Sequence, residues 1–201
     1  MKRAEILLIS RYAAAELAGA LLLGKYARTA KEDYLRKQLT WQCYEEAGHA
    51  WMWTKVLQDQ NLQLLEIHEK NEYFSYATEL KSDIEFLAWA HVYELRADFH
   101  LKVHVQMASL DPGFKKTMQQ IIEDEDEHLD WIAVCLEKLQ KEGNKDIAGY
   151  IQKWGDIENR TYLEFVKKLA ISDDNYLHEL GNMLEGKLPS YAFKWKRFIQ
   201  A

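Results

Sequence analysis

Two short motifs in this sequence pair a carboxylate with an imidazole: Glu46-Ala-Gly-His49 and Glu125-Asp-Glu-His128. Residues three apart on a helix project from one face, so each pair can present an oxygen and a nitrogen donor to the same ion. A single such pair is most often a solvated helix face. Two further acids, Glu16 and Glu94, precede the two pairs in the same order. Glu16 lies between Ala13 and Ala20, Glu46 among Leu39, Trp53 and Val56, and Glu94 between Leu87 and Leu101, positions that helical periodicity assigns to a core. A buried carboxylate costs several kcal/mol, on the order of what an unpaired ion loses on leaving water, unless a cation compensates it. A salt bridge is the ordinary solution for one acid. Four converging acids are offset by two divalent cations, with both histidines neutral as ligands.

Long helices must position these residues. Only two prolines and nine glycines interrupt 201 residues, and Glu, Lys, Leu and Ala are plentiful. The periodicity predicts a first helix over residues 2–27, a second reaching 58, a third over 78–109, and a fourth from the Asp111-Pro112-Gly113 turn to 141. Residues 59–77 are less periodic and read as a long connection with a short helix near 64–68. Beyond Glu142-Gly143-Asn144, a helix to about 170 and another begun by Ser172-Asp173-Asp174 form an aromatic-rich extension. The four candidate acids then fall at similar heights. Glu16 precedes its turn by about 13 residues and Glu46 follows it by about 17, roughly 20 and 25 Å along the axis. Glu94 and Glu125 stand in the same relation to the turn at Pro112.

This order, a lone Glu, a Glu-x-x-His, a long crossover, a lone Glu and a second Glu-x-x-His, resembles the ferritin-like di-iron carboxylate superfamily, without resolving a rubrerythrin-like from an oxygenase-like member. The resemblance covers about two-thirds of the chain. It implies an all-α, ferritin-like four-helix bundle over residues 1–142, with a long crossover between helices 2 and 3, and a helical extension over 143–201 packed on the same domain. It implies a metal site of Glu16, Glu46, His49, Glu94, Glu125 and His128 holding two Fe ions, or Mn or a mixed Mn/Fe pair, with Glu46 and Glu125 bridging or chelating. It also implies a non-haem di-iron oxidoreductase that uses dioxygen to oxidise a small or fatty organic substrate, supplied by an external electron donor. A ferroxidase or a rubrerythrin-like peroxidase are the alternatives. Carboxylate-rich donors with one imidazole per metal suit iron or manganese, whereas zinc favours thiolates or three imidazoles.

Several other residues bear on the site. Glu45 and Asp124 each precede the histidine of their own helix by four residues, a spacing that suits a carboxylate on the far ring nitrogen. His91, one turn before Glu94, reads as an outer donor or a hydrogen-bonded core histidine; His100 and His104 read as a solvated pair. Tyr12, Tyr44 and Tyr93 flank the ligands and read first as packing residues. Small residues of the first helix, Ala13, Ala20 and Gly24, either leave a cavity beside Glu16 or let helices pack closely.

A net charge of −6 argues against a nucleic-acid partner, including a tRNA substrate. Cys43 and Cys135 form no cysteine cluster and read as free thiols of a reducing compartment. The apolar stretch 13–24 is interrupted by Glu16 and is shorter than a bilayer span. The expectations are therefore a cytoplasmic protein with no membrane partner, a homodimer being the assembly considered.

Overall fold

The computed structural model describes residues 1–67, 80, 82–144, 146–194 and 198–199. Among them the chain is all-helical, with six helices and no strand. They are α1 (Arg3–Thr29), α2 (Asp33–Gln58), α3 (Asp83–His104), α4 (Pro112–Lys141), α5 (Asp146–Ala170) and α6 (Asn175–Lys194).

Local chemistry sets most of the boundaries. Ser82 caps α3, its Oγ accepting the Glu85 N–H at 3.1 Å. The expected start of this helix near residue 78 lies outside the described residues, and its end comes earlier than 109. There Val105 and Gln106 tighten into a turn, with Gln106 N–H on the Val103 carbonyl at 3.2 Å. At α4, Asp111 Oδ1 accepts the N–H groups of Gly113 and Phe114 at 3.0 and 3.1 Å, while Pro112 fills the first helical position. Gly143, at φ 92°, closes α4 as the Gly-Asn pair suggested. Asp174 caps α6 through Tyr176 N–H at 2.9 Å.

The short helix expected near 64–68 does not form over the described residues 62–67. Asn61 takes φ 56°, Leu62 N–H closes onto the Leu57 carbonyl at 2.9 Å, and α2 ends in a left-handed cap. Leu65 N–H then binds Ser10 Oγ at 2.9 Å, which ties the segment to α1 in an irregular form.

The chain divides into two compact units, Met1–Thr78 with Ser109–Asp124, and Glu79–Ala108 with Glu125–Ala201. In the first, α1 and α2 run antiparallel after a short connection at 30–32. Glu16 meets Trp53, and Ala20 meets Cys43, whose thiol donates to the Ala20 carbonyl at 3.1 Å. Leu8, Ile9, Leu39, Trp53, Leu57 and Phe114 are the fully buried centre of this unit. Trp53 lies 5.2 Å from the Tyr12 ring and 5.6 Å edge-on from Phe114. The small residues of α1 serve close packing. A Cβ at Gly24 would lie 3.3 Å from Cys43 Sγ, and one at Gly19 would lie 3.3 Å from Glu46 Oε2. As a whole, α1 is long and apolar enough to cross a membrane by length and composition, and 44% of its most apolar stretch is buried.

In the second unit α3 packs on α5 and α6. It is buried all round from Glu85 to Leu95, as a helix wrapped by others must be. Phe86, Ile132, Leu136, Ile151, Val166 and Leu180 are buried there with it.

Candidate metal centre

The six candidate ligands form one donor group in each unit. In the first, Glu16 of α1 and Glu46 and His49 of α2 each offer a ligand atom within 4.8 Å of the others. Glu46 and His49 are buried, and Glu16 is half-buried. In the second, Glu94 of α3 and Glu125 and His128 of α4 offer atoms within the same 4.8 Å, and all three are buried. His128 Nδ1 lies 3.6 Å from Glu125 Oε2, so the i, i+3 spacing does turn both groups to one side of the helix.

Outer contacts hold the first group in place. Gln42, one turn before Glu46 and fully buried, donates from Nε2 to Glu46 Oε1 at 3.2 Å. The Trp53 indole N–H donates to Glu16 Oε1 at 3.1 Å. Asp124 Oδ2 sits 3.1 Å from His49 Nε2, so Nδ1 is on the opposite edge of the ring from this carboxylate. Asp124 was expected, from its spacing along α4, to serve His128 of its own helix; the carboxylate lies on His49 of α2 instead. Spacing within one helix could not reveal that cross-helix partner. Glu45, expected to serve His49, is half-buried.

Sequence periodicity placed Gln42 and Trp53 on the Glu46 face as core residues, without their donor roles. The signal available was a polar Gln four residues before a buried Glu, with a Trp whose N–H requires an acceptor when buried. Of the flanking tyrosines, Tyr12 packs on Trp53 and Tyr93 stacks on Trp89 at 5.4 Å; Tyr44 points to solvent and is 78% exposed.

The second unit contains a further buried polar set. His100 and His104, expected to be solvated, are buried, and each pairs with a tyrosine hydroxyl: His100 Nδ1 with Tyr162 at 2.7 Å, and His104 Nε2 with Tyr176 at 2.6 Å. The correction follows from α5 and α6, which cover the side of α3 that a four-helix reading leaves open. Burial lowers the basicity of both histidines, His104 to about 3, and that of His100 also through His104 and Arg96. Burial likewise raises Tyr162. His91 is buried with its ring edge-on to Phe198 at 5.0 Å. Arg96 stacks over Tyr93 at 4.4 Å and pairs with buried Glu158 at 3.0 Å, away from Glu94 as its position two residues on requires. Burial raises the Glu158 carboxyl, and Arg96 works against that shift.

The donor chemistry fits a cation. Each group combines two carboxylates with one imidazole and no thiolate, a hard-to-borderline set suited to iron or manganese. Buried Glu46 and Glu125 sit on apolar-lined helices, where a bound cation offsets the cost of keeping them ionised. No protein-family model matches the chain, and no curated protein matches it.

Proposed function

We propose, on the order of the six residues in the sequence, that Glu16, Glu46, His49, Glu94, Glu125 and His128 are the ligands of a di-iron site and that the chain is a non-haem di-iron oxidoreductase. In this reading residues 1–142 form a ferritin-like four-helix bundle with its crossover after α2, and 143–201 wall the second half of the site. The observation that carries the proposal is the repeated composition of the two groups. Glu16, Glu46 and His49 on one side, and Glu94, Glu125 and His128 on the other, each supply two carboxylates and one imidazole.

Bound ferrous ions would supply the electrons for reducing dioxygen while a small or fatty organic substrate is oxidised, an external donor restoring them between turnovers. The chain's own part is orientation. Gln42 and Trp53 each fix one oxygen of a ligand carboxylate, and Asp124 fixes the His49 ring by Nε2. The close packing at Gly24 withdraws one argument for an oxygenase cavity on α1. The aromatic helices α5 and α6 keep the oxidase reading ahead of a ferroxidase, because a storage bundle does not need them. The protein acts in the cytoplasm.

The test is dioxygen consumption by ferrous-loaded protein with a chemical reductant, comparing the wild type with His128→Ala. Turnover in the wild type that falls at least a hundredfold in the variant is the expected result, on the order of a lost metal ligand. Equal rates in the two proteins would remove His128 from the site.

A further inference from the structure

In the first unit α1 turns Glu16, Ala20, Gly24 and Ala27 toward α2 and its buried neighbours. A quarter-turn away it leaves Leu17 and Leu21 exposed, at 52% and 70%. On α2 the matching side carries Tyr44 and Trp51, at 78% and 62%. The helices are antiparallel and both stripes lie on the side away from the core, so they run beside one another as one face. Between its ends this face has no charged residue: Ala14 and Ala18 extend it along α1, and Ala47 and Gly48 along α2. Exposed Leu, Tyr and Trp side by side form a patch of the kind that marks a contact surface.

The charges at its margins identify the occupant. Around the α1–α2 connection stand Lys25, Arg28, Lys31, Arg36 and Lys37 against only Glu32 and Asp33, in a chain whose overall charge is −6. At the other end Lys55 is paired with Asp59 at 2.7 and 2.8 Å and Arg11 is half-buried, so the positive charge is concentrated at the connection. A second copy set across this face with like ends together would bring the basic connection onto itself, which disfavours that self-association. An anionic lipid surface meets both features. Acyl chains take the leucines, Trp and Tyr sit at headgroup level, and lysines and arginines face lipid phosphates.

We infer that the Leu17/Leu21–Tyr44/Trp51 face of α1 and α2 docks this protein on anionic phospholipid membranes without spanning them. None of the residues of this face is a candidate metal ligand, so the inference stands or falls apart from the metal. It replaces the expectation of no membrane partner.

Flotation of the full chain with phosphatidylcholine vesicles, with and without about a third phosphatidylglycerol, tests it. Binding to the anionic vesicles that weakens with salt is expected, with about fivefold loss for each basic residue reversed among Lys25, Arg28 and Lys37. The pair Leu17→Glu and Leu21→Glu, both at exposed helix positions and checked for helicity by circular dichroism, should abolish it. No binding to anionic vesicles, or binding unchanged in both sets of variants, would overturn the proposal. So would a stable dimer in solution that the leucine variants dissociate, since the face would then belong to a second copy.

Discussion

Asp124 shows how much of this site depends on single contacts. Its carboxylate holds His49 by Nε2 at 3.1 Å, and such outer partners set both the orientation and the basicity of a ligating ring. Asp124→Asn keeps the shape and removes the charge; it should weaken metal binding about 10- to 100-fold, read by competition with a chromophoric chelator. Trp53→Phe should act on the fold, because it removes the N–H on Glu16 and also part of a fully buried ring packed on Tyr12 and Phe114. A stability loss of about 2–3 kcal/mol in urea unfolding without metal is the expected result. At this scale the sequence was readable where spacing along one helix decides the outcome, as for Glu46 with His49 and Glu125 with His128. It was not readable where a partner comes from another helix. Asp124 and Trp53 both reach across, and no periodicity encodes such a reach.

Helices were legible because their ends carry strong local chemistry. Asp111 with Pro112, Gly143 and Asp174 each mark a boundary by capping or by a left-handed turn. The segment after α2 reads as a short helix because Leu64, Leu65 and Ile67 supply apolar character, whereas the Asn61 turn and the Ser10 tether hold 62–67 irregular. The α5–α6 corner provides a sharp test of packing. A Cβ at Gly181 would meet the Ala170 backbone nitrogen and lie 2.6 Å from Ala170 Cα and from the Leu169 carbonyl carbon. Gly181→Ala gains about 1 kcal/mol of helix propensity, yet the backbone must move apart, so a net destabilisation of about 2 kcal/mol or more is expected. An unchanged thermal midpoint would show that the two helices are not in this contact.

Over the whole molecule, the burial of α3 was the feature least visible in sequence. A helix covered on every side has no polar face to give it away, and His100 and His104 looked like a solvated pair until α5 and α6 were in place. Their burial has a consequence for acid stability. In the folded state both histidines resist protonation, His104 down to about pH 3, whereas unfolded histidines protonate near 6.5. The unfolded chain therefore binds more protons below pH 6.5. Stability is full above that value and falls as pH drops toward 3, by up to about 1.4 kcal/mol per unit for each histidine. Glu158, whose carboxyl is raised by burial, shifts the balance the other way. Urea midpoints at pH 7.5 and 5.5 should differ, and His104→Gln should flatten that difference; equal slopes would place the acid sensitivity elsewhere. The lipid-facing stripe was hidden for a related reason. Leu17, Leu21, Tyr44 and Trp51 come from two helices, and no linear window of hydropathy joins them.

The central claim is the proposal that Glu16, Glu46, His49, Glu94, Glu125 and His128 are metal ligands. An anaerobic ferrous titration of the metal-free protein, with iron counted per chain, tests it most directly. Two irons per chain, falling to one or none in Glu125→Ala, is the predicted result. No tight ferrous binding, or two irons retained in both Glu125→Ala and His128→Ala, would contradict it.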